Sequence, residues 1–148
     1  MFSKILYPTD FSSLATRSLN YVKQLKEAGT REVVILHVID VREVNAVARA
    51  MSLYGSMVHH DADRQIKEKI SQDMEALAAD LRKSGLETKI LVKTGVPFME
   101  VLNTADEENV AAIVIGSHGV SNIGEMLLGS VSEKVVRKAK VPVLVIKR

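Results

Sequence analysis

The 148-residue chain contains no cysteine, which excludes a disulfide scaffold, a thiol nucleophile and any cysteine-ligated metal site. Proline and glycine are sparse, at three and eight residues, and against 47% hydrophobic and 26% charged residues this leaves no composition for disorder or a repeat array. An excess of one charge is also missing. Twenty Lys and Arg stand against eighteen Asp and Glu, a formal net charge of +2, too small to make nucleic acid or an anionic membrane surface the main partner. The longest uninterrupted apolar run, residues 110–115, falls far short of the roughly 20 residues that a spanning helix needs. The opening Met1-Phe2-Ser3-Lys4-Ile5-Leu6-Tyr7-Pro8 is shorter than a signal-peptide core, so a cytoplasmic protein is expected. The length suits one domain, residues 1–148, able to bury its own core.

What is present is an alternation. Short β-branched runs are separated by stretches with apolar residues at helical spacing, the pattern of parallel strands joined by crossover helices. Strands are expected at residues 4–7, 32–38, 87–92, 111–115 and Val143–Ile146. Phe11, Leu14, Ala15, Val22 and Leu25 share one face of a first helix that Gly29 ends, and Ile66, Ile70, Met74, Leu77 and Leu81 form the stripe of the longest helix, ending at Gly85. Pro97 suits the first turn of a further helix, with Phe98, Val101, Leu102 and Ala105 inward. Ser130, followed three residues on by Glu133, has the form of a capping box opening the last helix. The fold expected is an open, doubly wound α/β sheet with helices on both faces, whose ligand crevice lies beyond the carboxyl ends of the strands. Residues 41–63 escape the pattern. They are longer than an ordinary connection and form either a short extra helix, a lid or a partner surface.

The loop after the fourth strand carries the chemical signal. Gly116-Ser117-His118-Gly119 is followed, after nine residues, by Gly129-Ser130 at a helix start. Glycine lets backbone approach a ligand closely, and a helix N-terminus offers unpaired N–H groups and a favourable dipole to an anion. The loop is therefore either a polyphosphate cradle or a plain turn in which Ser130 caps its own helix. Gly124 and Gly129 have the Walker spacing, but Ser130 stands where the phosphate-binding lysine belongs, and no G-x-G-x-x-G follows the first strand. A catalytic base is sought among Asp10, Ser117 and His118, and none is convincing: His118 between two glycines could shuttle a proton, but a lone loop histidine is more often solvent-exposed and idle, and Ser117 lacks a G-x-S-x-G elbow. His59-His60-Asp61-Ala62-Asp63 has metal-ligand residue types, yet adjacent side chains diverge, and a solvated helix start accounts for them.

Gly116-x2-Gly119-x9-Gly129-Ser130, the opening Ile5-Leu6-Tyr7-Pro8-Thr9-Asp10-Phe11-Ser12 and the ending Val141-Pro142-Val143-Leu144-Val145 together resemble the universal stress protein family along the whole chain, in its ATP-binding branch. The resemblance implies a five-stranded parallel sheet of order 3-2-1-4-5, adenine-nucleotide α-hydrolase-like. It implies an ATP site with Pro8, Thr9 and Asp10 on the adenine and ribose side, Asp10 as hydrogen-bond acceptor or else only a helix cap, and Val38 and Ile39 on the adenine face unless Val38 is plain core. Ile115, Gly116, Gly119, Gly129, Ser130, Val131 and Ser132 would hold ribose and phosphates, with Mg²⁺ or Mn²⁺ bridging the phosphates. It also implies a homodimer through the C-terminal edge strand, with Val141, Val143 and Val145 partly buried between subunits and Pro142 tolerated because the strand is terminal. The alternative is an edge covered by the chain's own helices. A nucleotide-dependent sensor or regulator with at most slow ATP hydrolysis and an unidentified protein partner is the expected function. A hydrolase or adenylyl-transfer enzyme, or a dimeric interaction module without nucleotide, are the competing classes. The pyrophosphatase-like relatives carry a Ser-Gly-Gly run after the first strand, which Tyr7-Pro8-Thr9-Asp10 is not.

Overall fold

A computed structural model describes residues 1–11, 13–52, 59–117 and 128–147. The chain runs from Lys4–Pro8 (β1) through Ser13–Gln24 (α1), Glu32–Asp40 (β2), Val41–Met51 (α2) and His59–Lys83 (α3) to Glu87–Gly95 (β3). Pro97–Glu107 (α4), Ala112–Gly116 (β4), Ser130–Lys138 (α5) and Val143–Ile146 (β5) follow. All five strands join one sheet in the order β3-β2-β1-β4-β5, and every pairing is parallel. Strand order reverses between β1 and β4, so the crevice opens above their carboxyl ends.

The period of two along each strand divides the core. Ile5 and Tyr7 of β1, with Val33 and Ile35 of β2, face Leu19 and Val22 of α1 and Met74, Ala78 and Leu81 of α3. Leu6, Val34 and Leu36 face the opposite way, toward Val101 and Ala105 of α4 and Val135 of α5. Because the inner strands are covered on both faces, their central residues are uniformly apolar and buried. Gly29 (φ +97°) and Gly85 (φ +82°) follow α1 and α3 in the left-handed region, where any other residue would be strained. Among the described residues no helix is long and apolar enough to cross a membrane.

Several boundaries differ from the sequence expectation. Part of residues 41–63 is an extra helix, α2, begun by Asp40, whose carboxylate accepts from the Arg42 N–H; residues 53–58 lie outside the described set. β2 and β3 run on to Asp40 and Gly95, because backbone pairing continues past the point where the apolar run stops. Phe11 is not helical: α1 begins at Ser13, and Phe11 has φ +60°. Ile66, expected in the buried stripe of α3, is 55% exposed and borders open cavity space instead of packing in the core. The capping box at Ser130 does not form. The N-cap is Gly129, without a side-chain hydrogen bond, and Glu133 pairs with Arg137 one turn on.

Candidate functional site

Three strand ends and one helix start converge on a cavity of about 530 Å³, a size typical of small-molecule sites. Every site residue named from the sequence other than Gly119 lines it: Pro8, Thr9 and Asp10 after β1, Val38 and Ile39 in β2, Ile115 and Gly116 in β4, and Gly129, Ser130, Val131 and Ser132 at α5. Gly119 and His118 lie outside the described residues. Val38 does two jobs, since it also packs against the core on the α4–α5 face. The Asp10 side chain is exposed on the cavity rim.

The loop between β4 and α5 is pinned at its base. Ser117 N–H donates to the Ile146 carbonyl (2.8 Å), Gly129 N–H donates to the Ser117 carbonyl (2.6 Å) and Ser132 Oγ donates to the Gly116 carbonyl (2.6 Å). These bonds lock the end of β4 to the first turn of α5. The Glu133 N–H, reaching back to Gly129 O at 2.9 Å, closes the first turn, so the amides of Ser130, Val131 and Ser132 precede it and are the orphan donors of a helix N-terminus. They border the cavity, where the helix dipole adds partial positive charge. Ser117 is buried in this stem and is not presented as a nucleophile.

The cavity is also lined by residues the sequence does not mark as site residues: His37, Asp40, Arg42 and Glu43 around the end of β2, and Pro97 and Val101, which the sequence marks only as parts of α4. Asp40 grips Arg42 through two hydrogen bonds, to Nε (2.9 Å) and to a terminal nitrogen (2.6 Å). The guanidinium holds the Asp40 carboxyl below its ordinary range, mainly through its side-chain hydrogen bonds. An Asp ahead of helical apolar spacing was the signal available for it. His37 donates from Nδ1 to the Thr9 carbonyl at 2.8 Å, and because a carbonyl only accepts, this bond fixes the tautomer. Burial, followed by the Asp10 carboxylate, pushes the Tyr7 phenol far up, opposed by a hydrogen bond with the Thr9 side chain.

The charge balance constrains what can bind. Among the described lining residues Arg42 is the one permanent cation, and it is already paired, while Asp10 and Glu43 are acidic. No cluster of three or more His, Cys, Asp or Glu suited to a metal ion occurs among the described residues. Toward an anionic ligand the described lining offers the backbone amides of Ser130, Val131 and Ser132.

Known proteins share this fold. The chain is 38% identical to the universal stress protein MJ0577 of Methanocaldococcus jannaschii, covering 100% of this chain and 96% of that protein. It is 34% identical to the universal stress protein YxiE of Bacillus subtilis over 99% and 100% of the two chains. The solved structure of MJ0577 superposes with a TM-score of 0.85 at 39% identity, covering 100% and 97%. The universal stress protein of Archaeoglobus fulgidus, solved in complex with dAMP, shares the fold at a TM-score of 0.67 and 24% identity, covering 99% and 100%. The universal stress protein family model matches residues 1–147, and the chain belongs to that family.

Proposed function

We propose that the chain binds ATP in this cavity and acts as a nucleotide-dependent sensor or regulator, with at most slow hydrolysis. The observation that carries the reading is the convergence of the β1, β2 and β4 ends on the N-terminal turn of α5 around one cavity. Adenine and ribose would lie over Pro8, Thr9, Asp10, Val38 and Ile39, with the Asp10 carboxylate accepting from a ribose hydroxyl. The phosphates would rest on Ile115, Gly116, Gly129 and the amides of Ser130, Val131 and Ser132, with Gly119 completing the cradle. A relative of the same fold holds an adenine nucleotide, dAMP. A bound Mg²⁺ or Mn²⁺ would offset phosphate charge that the lining residues do not neutralise. The slow-turnover reading rests on the two described candidates: Ser117 is buried in the loop stem, and Asp10 is assigned here to the ribose.

Calorimetric titration of nucleotide-stripped protein with ATP and Mg²⁺, followed by a phosphate-release assay on the same sample, tests the reading. About one ATP per subunit with little release is expected. Rapid release would make the protein a nucleotide hydrolase, and no binding would leave the glycine loop as a turn and move the function to a protein-contact surface.

A further inference from the structure

We infer that His37 is a positioning residue that aims the Asp10 carboxylate at the ribose, an inference resting on the nucleotide reading above. The segment around Asp10 is gripped at three points. Thr9 N–H donates to the Leu36 carbonyl (2.8 Å), continuing the β1–β2 ladder; Thr9 Oγ1 accepts from the Phe11 N–H (3.1 Å); and His37 Nδ1 donates to the Thr9 carbonyl (2.8 Å). The third contact is the decisive one. The Thr9 carbonyl and the Asp10 N–H belong to a single rigid peptide plane, so a donor fixed on that oxygen fixes the plane from which the Asp10 side chain departs.

The same imidazole grips the other side of Asp10. The Phe11 ring lies 4.7 Å from the His37 ring, centroid to centroid, tilted by 36°, while Phe11 has φ +60°. An aromatic residue in that conformation is strained and persists only where its surroundings hold it. Asp10 thus sits between two anchors, the carbonyl before it and the ring after it, both held by one side chain. Packing alone does not ask for histidine here. The preceding residues on this face of β2, Val33 and Ile35, are fully buried aliphatics, and a third aliphatic would fill the site without donating.

The test measures affinities for ATP and for 2′,3′-dideoxy-ATP, each with Mg²⁺, in the wild type, His37→Phe, His37→Leu and His37→Asn, with thermal melts to verify folding. Wild type is expected to prefer ATP. His37→Phe, which keeps a ring against Phe11 but has no donor, should lose about tenfold in ATP affinity and little for the dideoxy nucleotide, so the preference collapses. His37→Leu should do the same through different packing. His37→Asn, whose amide nitrogen stands near the Nδ1 position, should restore the preference. Asp10→Ala, which removes the acceptor, should abolish it, and adding His37→Phe to that variant should weaken ATP no further. Equal losses on both nucleotides, or an Asn variant no better than Phe, would overturn the positioning role. A wild type that binds both nucleotides equally would overturn the Asp10–ribose contact, and one that binds neither would overturn the nucleotide reading and this inference with it.

Discussion

Thr104 is fully buried in α4, and its Oγ1 has no hydrogen-bond partner. A desolvated hydroxyl left unpaired is a cost that an apolar group of the same shape would not carry. Thr104→Val is therefore expected to stabilise the protein by about 1 kcal/mol, read as a rise of about 3 °C in Tm with nucleotide affinity unchanged. At this scale the sequence misleads in a consistent way. Ser130 and Glu133 have capping-box spacing, but the helix starts one residue earlier than that motif requires and leaves Gly129 as the cap. A hydroxyl near a helix start can serve the cap or another acceptor, and here it is Ser132 that is used, on the Gly116 carbonyl. His37 was invisible for a related reason: it is the next residue after a buried apolar run, and only the tertiary approach of Thr9 gives it a partner.

Elements are tied together at the amino ends of the strands by Glu108, the residue that closes α4. Its carboxylate meets Lys89 of β3 at 2.7 Å and Lys4 of β1 at 3.0 Å, and Lys4 also meets Glu32 of β2 at 3.3 Å. Hydrogen bonds from Lys89 and then Lys4 hold the Glu108 carboxyl below its usual range, and the hydrogen bond to Glu108 is the largest influence raising the Lys4 ammonium above its own. The Glu108 contribution is present above the ordinary glutamate value and lost as pH falls through the folded one; the Lys4 contribution is present below the ordinary lysine value and lost as pH rises through the folded one. Glu108→Gln should cost about 1 kcal/mol at neutral pH, and its difference from wild type in urea denaturation should shrink as pH drops below about 4. The strands themselves were legible to within a few residues because both faces of the sheet are covered. They were read short at Asp40 and Gly95 because burial, and with it the apolar run, ends before the pairing does. α2 is open to several readings in the sequence because its residues 42–50 are all exposed, so no buried stripe marks it.

For the whole molecule, the two edges of the sheet differ. β3 carries Lys89 and Lys93, tied back to Glu108 and Glu107, and charge of this kind resists the addition of another strand. β5 is Val143–Ile146, uncharged throughout, with Leu144 42% exposed. Val141, Val143 and Val145 pack against the chain's own core and are half-buried, which leaves Leu144 as the outward apolar contact. In the two-fold dimer that the family resemblance implies, this edge meets its mate, so Leu144→Asp should halve the mass measured by light scattering at micromolar concentration. A wild type that already runs as a monomer would sink the dimer. The order of strands, by contrast, came from the family resemblance and not from periodicity, which carries no information on which strand neighbours which.

The sheet's polarity also makes the protein adjustable. Ion pairs cluster at Lys4 and the lining of the cavity begins at Tyr7, three residue steps apart along β1, or about 10 Å. That separation exceeds the screening length of about 8 Å in physiological salt and reaches the distance beyond which substitutions usually add. Stability can then be tuned from one rim while the other is left to its ligand: a graded set of charge changes at residues 4, 32, 89 and 108 would move the unfolding midpoint without altering the affinity for nucleotide.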